Sequence, residues 1–294
     1  MKKLAVIMTY YNENKELLKE ALDSTIDDLN SSESLNSDYC IYLGVDREIE
    51  SIPPKELDYL KELENLKKLK VIFFDENRGL ASTLNDLIFN YCQGYEYIAR
   101  MDADDVVLKG RFESQINYLN ENPDVSLVGG QANKINEDGV YISDFKPREN
   151  ICLDWGCDII HPTWLVRTEL YTFLNGYREL DAAQDYDLIC RASINGYKVI
   201  NLETKLINYR IRNGSIGLSR KFTQVYNKCL ISKSYRNGKV APLNKLNKNS
   251  GASFYMFNFV EKSKLINVYI GRLFGFLSPV HVNNYYLQLR KRVG

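Results

Sequence analysis

The chain has 294 residues, 45% hydrophobic and 26% charged, enough for one large core with an appendage. Its six cysteines form no C-x-x-C pair and its only histidines are His161 and His281, which excludes a zinc-type site and any centre built on several imidazoles. The zero formal charge hides an asymmetry: residues 205–294 carry 17 Lys/Arg against one acid, Glu261, a net +16 balanced by −16 upstream, which points to a cation on the acidic body and an anionic surface at the basic end.

Along the chain, the apolar run Leu4 to Thr9 predicts a strand and Asn14 to Leu29 a helix. The pattern repeats with strand Cys40 to Val45, helix Pro54 to Leu66, strand Lys70 to Phe74, helix Leu80 to Cys92 and strand Tyr97 to Met101. Such β-then-α units with continuously apolar strands predict an α/β fold with a mostly parallel, Rossmann-like sheet flanked by helices. Ligands of such sheets bind beyond the carboxyl ends of the strands, which singles out Tyr10 to Glu13, Asp46, Asn77 to Gly79 and Asp102 to Asp105. A helix from Arg111 to Asn120, a strand from Val125 to Gly130 and a turn at Glu137 to Gly139 follow. Short strands and a helix beginning near Gln184 are expected between about 151 and 212, then helices rich in Tyr, Phe, Lys and Arg after Leu218. No repeat and no apolar stretch of about 18 residues is present, so no membrane span is expected. The absence of a signal sequence and the unpaired cysteines predict a cytoplasmic protein.

Asp102-Ala103-Asp104-Asp105 closes an apolar strand, where residues two apart project to one side and Asp102 can converge with Asp104. Clustered carboxylates repel one another unless a cation or strong donors intervene. Two readings stay open: a magnesium or manganese ion bridging to a diphosphate, or a solvated acidic turn. A calcium loop starting at Asp102 would end on Glu113, but Val106 and Val107 stand where that motif needs an oxygen ligand and a glycine, so it fails. No G-x-G-x-x-G or G-x-x-x-x-G-K-[ST] run follows a strand, which argues against dinucleotide oxidoreductases and P-loop kinases. A second constellation, Ala183-Gln184-Asp185-Tyr186-Asp187, opens a helix whose dipole favours an ionised carboxylate in the first turn. Asp185 is therefore a candidate general base or an ordinary first-turn acid. Trp164 is either a stacking surface for a sugar or a core residue, and His161 either an acceptor-side residue or a structural histidine.

Together these segments resemble family 2 glycosyltransferases of the GT-A fold, in the branch that builds bacterial capsules, O-antigens and lipooligosaccharides. The resemblance runs from Leu4 to Ser219. It rests on Met8-Thr9-Tyr10-Tyr11-Asn12, Asn77-Arg78-Gly79-Leu80 with Asn85, and Ala99 to Asp105 with Arg111 and Gln115. His161-Pro162, Gly176-Tyr177-Arg178, Gln184 to Leu188 and Tyr209-Arg210 complete it. It implies a catalytic domain over 1–218, with a nucleotide-sugar half over about 1–110 and an acceptor half over about 111–218. Residues 219–294 would form a helical, basic, aromatic extension.

By that resemblance Thr9, Tyr11 and Glu13 line the nucleotide pocket, Asp46 contacts base or ribose, and Arg78 and Asn85 lie near the donor. Asp102 touches the ribose, Asp104 holds the metal and Asp185 is the base. His161, Trp164 and Gln184 fall on the acceptor side. Gln184 stands where the family commonly has an acid. Arg212 replaces a frequent histidine, so a third metal ligand is in doubt; either metal affinity is modest or Arg212 itself meets the diphosphate. The implied reaction is one inverting displacement from a nucleotide diphosphate sugar, UDP by resemblance, to a saccharide or lipid-linked acceptor. A sugar nucleotidyltransferase would need a glycine-rich basic loop that Thr9 to Asn14 lacks, and a catalytically degenerate binding subunit is the non-enzymatic alternative. The basic extension, interleaved with aromatics such as Phe254, Phe257, Tyr285 and Tyr286, either docks peripherally on the inner membrane face or packs on the catalytic domain. No nucleic-acid motif accompanies it.

Overall fold

The structure, a computed structural model, describes residues 2–35, 38–149, 151–154, 156–212 and 221–246. Its first half follows the expected α/β alternation: β1 (Lys2–Tyr10), α1 (Lys15–Ser31), β2 (Tyr39–Val45), α2 (Pro54–Leu63), β3 (Leu69–Phe73), α3 (Leu80–Asp86) and β4 (Tyr95–Asp102). Every residue from Leu4 to Met8 has 0% exposure, as expected of a parallel strand covered on both faces. Leu4, Val6 and Met8 join a core with Leu18, Leu22 and Leu29 of α1, and burying each such side chain contributes about 1.5–3 kcal/mol. The Asn14 side chain caps α1, accepting from the Glu16 N–H at 2.9 Å.

The second half is mixed rather than parallel: β5 (Val106–Val107), α4 (Arg111–Glu121), β6 (Val125–Ile135), β7 (Tyr141–Phe145), β8 (Leu165–Arg167), α5 (Thr168–Leu174), α6 (Gln184–Ile194) and β9 (Lys198–Arg210), then α7 (Lys221–Arg236). Among the described residues one sheet runs β3-β2-β1-β4-β8-β6-β9-β5, with β7 on β6. β1, β2, β3 and β4 pair in parallel, as do β6 and β9, whereas β8, β7 and β5 join antiparallel.

Two elements differ from expectation. The helix expected to reach Cys92 is α-helical to Asp86 and widens into a π-turn at Leu87–Tyr91. β6 extends past Gly130 to Ile135, because register shifts around Gln131 absorb the irregularity and let β9 stay paired alongside. No described helix is long and apolar enough to cross a membrane, and all six cysteines are free.

The chain forms two compact units. The first holds the described residues within 1–151, 159–179 and 195–212; the second holds those within 152–158, 180–194 and 221–246. The expected boundary near 218 and the aromatic positions from Phe254 to Tyr286 lie outside the described residues.

Candidate active site

In the first unit the strand order reverses between β1 and β4, and the residues expected to bind ligand lie at the carboxyl ends there. Thr9 is in register with Asp102, and Tyr10 with Val45. Past β1 the chain turns through Tyr11, whose N–H donates to Glu13 Oε2 at 2.8 Å. The Arg47 guanidinium holds that turn from β2's side, donating to the Tyr11 carbonyl and to Glu56 Oε1, each at 3.0 Å. The Tyr11 ring is 40% exposed, open to a planar partner.

Asp46 is buried and its carboxylate is engaged by main chain: Arg78 N–H donates to Oδ1 at 2.8 Å and Gly79 N–H to Oδ2 at 3.0 Å. Gly79, at φ 81°, sits in the left-handed region that permits this approach at the start of α3. Arg78 pairs with Asp86 and lies over Phe74, 4.5 Å from its ring centre. Asn85 clasps the main chain of Tyr177, with its amide donating to the carbonyl and accepting the N–H, both at 2.8 Å. Gly176 has to be glycine there, since a Cβ would lie 2.3 Å from Asn85 Oδ1 and its φ is 66°.

The acidic turn is the centre of this unit. Carboxylate oxygens of Asp102, Asp104 and Asp105 all lie within 4.8 Å of one another. The convergence expected from strand alternation comes instead from a turn, because β4 ends at Asp102 and Asp104 follows on the bend. Three guanidinium groups surround it. Arg100, buried, pairs with Asp102. Arg210 gives its N–H to Asp105 Oδ1 at 2.7 Å and its Nε to the Asp104 carbonyl at 2.7 Å. Arg212 donates from Nε to Asp104 Oδ2 at 2.5 Å and from Nη2 to Glu13 Oε1 at 3.4 Å. Burial pushes Asp104 up to about 6, the charges of Asp102 and Glu13 adding to it and Arg212 opposing it. Burial, with the charges of Asp102 and Asp104 adding to it, pushes Asp105 up as well. Asp105 Oδ2 is buried with no hydrogen-bond partner among the described residues. An orphaned buried oxygen beside two converging carboxylates suits a hard divalent cation.

Arg111 braces this turn from below, its buried guanidinium donating to the Arg100 carbonyl at 2.7 Å and the Pro162 carbonyl at 2.8 Å. Gln115 donates to the carbonyls of Val128 and Thr163. Glu113, which a calcium loop would have used, is instead held by Ser32 and Ser34. His161 Nε2 lies 2.8 Å from the Tyr177 hydroxyl, and burial near Arg100 keeps its imidazole well below the usual value, hence neutral. Trp164 is 0% exposed, edge-on to His161 and parallel to Tyr177. Of the two readings open for it, core packing is the one found.

In the second unit Asp185 stands half-buried in the first turn of α6. Ala183, just before that helix, holds φ 66°, a strained value for a residue with a Cβ. The turn is braced by α7, whose Asn227 amide donates to the Ala182 carbonyl at 2.9 Å. Gln184 is buried and its Oε1 has no partner among the described residues. Asp187 is committed to Arg191, Oδ2 to Nε 2.8 Å, in a buried pair.

Sequence reasoning assigned no partner to Arg47, Arg100 or Arg210. Arg100 and Arg210 stood only inside the motifs that carry the resemblance, with no role attached, and Arg47 had no signal beyond a basic residue beside an acidic strand end.

Three comparisons bear on this arrangement. The O-antigen biosynthesis glycosyltransferase WbnJ of Escherichia coli is 33% identical over 181 residues, 60% of this chain and 68% of that one. The mannosyltransferase PcManGT from Pyrobaculum calidifontis, solved with GDP-Man and Mn2+, superposes with a TM-score of 0.60 at 18% identity, covering 83% of this chain and 67% of its own. S. aureus TarS 1-349 in complex with UDP-GlcNAc superposes with a TM-score of 0.58 at 18% identity, covering 74% of this chain and 61% of its own. At such identity the two structures establish the fold alone, and it is the GT-A fold. The family model described as "Glycosyl transferase family 2" matches residues 5–173, which span β1 through α5 and include the acidic turn with Arg100 and Arg111, and by that match the chain belongs to this family of glycosyltransferases.

Proposed function

We propose that the chain transfers a sugar from a nucleoside diphosphate, a UDP-sugar in the first instance, to a saccharide or lipid-linked saccharide acceptor of a bacterial surface polysaccharide, with inversion at the anomeric carbon. The observation that carries this is the convergence of Asp102, Asp104 and Asp105 at the reversal of strand order, with Asp105 Oδ2 buried and unpartnered among the described residues. Manganese or magnesium held by Asp104, with Asp102 and Asp105 beside it, would neutralise the departing diphosphate. The E. coli relative's O-antigen role supports the polysaccharide assignment, and the UDP-GlcNAc and GDP-Man of the two structural neighbours support a nucleotide sugar.

The remaining roles belong to the chain's own residues. Thr9, Tyr11 and Glu13 face the nucleotide at the end of β1, with Tyr11 stacking on the base and Asp102 taking the ribose. Asp46 contacts the base or ribose while holding the main chain of Arg78 and Gly79, and Arg78 and Asn85 lie near the donor, with Asn85 fixing Tyr177. Asp185 takes the acceptor hydroxyl proton as its oxygen attacks the anomeric carbon. A single displacement inverts the centre, so an α-linked donor gives a β-glycoside. The basic residues from Lys205 onward support docking on the anionic cytoplasmic face of a membrane, where a lipid-linked acceptor is presented.

A panel of UDP- and GDP-sugars, incubated with and without manganese and EDTA, tests the reading. Metal-dependent release of UDP from one donor, and a β-linked product by NMR once the acceptor is found, are expected. Release that persists in EDTA, or a product retaining the donor's configuration, would contradict it.

A further inference from the structure

The three guanidinium groups around the acidic turn are held differently. Arg100 is buried. Arg210 is locked, its side chain reaching the carbonyls of Asp104 at 2.7 Å and Glu137 at 2.9 Å and Glu20 Oε2 at 2.6 Å. Among the described residues Arg212 touches no carbonyl. Its bonds go to two carboxylates, Asp104 Oδ2 at 2.5 Å and Glu13 Oε1 at 3.4 Å, and 22% of its side chain is exposed. It lies two residues past the end of β9 at Arg210, so no strand pairing fixes it. The oxygen it occupies belongs to Asp104, one of the three converging carboxylates and the one to which the proposed function gives the divalent ion. Two cations on one carboxylate oxygen repel each other, so one must leave.

We propose that Arg212 is a resident competitor for the cation site. Its guanidinium and a divalent ion contend for Asp104, so the ion alone binds weakly. A nucleoside diphosphate offers the guanidinium a better partner, because planar guanidinium groups pair with phosphate oxygens in bidentate fashion. Moving onto the diphosphate, Arg212 releases Asp104 to the metal. Nucleotide and metal then tighten each other's binding by the same factor, and the acidic turn is kept from trapping stray cations between turnovers. This inference rests on reading the site as one for a nucleoside diphosphate.

The test uses the full chain, Arg212→Met and Arg212→Lys, with thermal unfolding as a check on folding. Manganese binding is followed by the EPR signal of the free ion, first alone and then with saturating UDP or GDP. Arg212→Met is expected to bind manganese alone about tenfold more tightly than the parent, while the factor by which the nucleotide tightens that binding falls by about tenfold. Arg212→Lys, a cation without the planar fork, is expected to fall between the two. Unchanged or weaker manganese binding in Arg212→Met would overturn the competition, and an intact nucleotide effect would overturn the transfer onto the diphosphate. If the parent protein bound neither UDP nor GDP with manganese present, the functional reading itself would fail. Tighter manganese binding by Arg212→Met would still establish competition in that case.

Discussion

The side-chain amide of Asn85 and the main chain of Tyr177 exchange two hydrogen bonds, each 2.8 Å, across 92 residues of sequence. The pair ties α3 to the aromatic group in which the Tyr177 hydroxyl meets His161 at 2.8 Å and Tyr171 at 3.1 Å. Asn85→Ala leaves both main-chain groups of Tyr177 without that partner and is expected to cost about 1–3 kcal/mol in urea unfolding. Asn85→Asp keeps the acceptor but loses the donor, so it is expected to fall between parent and alanine variant. A nucleotide affinity that collapsed while stability stayed unchanged would mean that Asn85 serves the ligand directly.

Asp104 carries a folded-state pKa of about 6 against an ordinary value of 3.8, raised by burial first and then by the charges of Asp102 and Glu13. A raised carboxylate contributes stability below about pH 4 and loses it as pH rises through 6, so at pH 7.5 the ionised group costs stability. Without divalent metal, Asp104→Asn is therefore expected to be more stable than the parent at pH 7.5, by on the order of 1–3 kcal/mol. The gain should shrink through pH 6 and vanish below pH 4. Adding manganese should raise the parent's melting temperature and leave the variant's where it was. A variant less stable than the parent at pH 7.5 would show that Arg212 already offsets the burial.

Asp185 and Asp187 are adjacent acids on α6 with different expected outcomes. Asp185→Asn should fold and bind donor but turn over about 100- to 10,000-fold more slowly, because the amide cannot take a proton. Asp187→Asn removes one charged partner of buried Arg191 and should cost on the order of 1–3 kcal/mol of stability. Steady-state rates paired with unfolding curves separate the two. A fall of less than about tenfold for Asp185→Asn would remove it as the base.

How much of this was legible in the sequence depended on whether the cause was local. Leu4 to Met8 reads as a buried parallel strand because both faces are covered and nothing interrupts the apolar run. The acidic turn stood out because three carboxylates within four residues repel one another unless a cation or strong donors intervene. The counter-charges were not. Arg210 and Arg212 reach Asp105 and Asp104 from more than 100 residues away, brought by the pairing of β9 with β5, for which no local pattern exists. Nor could sequence show that the Asp46 carboxylate would be engaged by main-chain N–H groups, or that α7 would brace the strained turn at Ala183, since both depend on contacts between distant segments. The antiparallel insertion of β8 was missed because three residues are too few to carry a direction.

Residues 247–294 carry seven Lys/Arg against one acid. A chain ending at Leu246 keeps α7 and its bond to Ala182, so it should fold. The full chain is expected to float with anionic vesicles at low salt and to lose much of that recovery at high salt or on neutral vesicles, and the shortened chain should float less. Equal recovery of the two folded proteins with anionic vesicles would end the docking proposal.

The central claim, that the acidic turn binds a nucleoside diphosphate through a divalent ion on Asp104, is tested most directly by calorimetric titration of UDP and GDP into the parent and Asp104→Asn proteins. Each titration is run with manganese and again in EDTA. In the parent, at least one nucleotide should bind with manganese and lose most of its affinity in EDTA, whereas Asp104→Asn should bind equally weakly in both. Nucleotide binding to the parent that is the same with manganese and in EDTA, or a metal-dependent affinity that survives in Asp104→Asn, would contradict it.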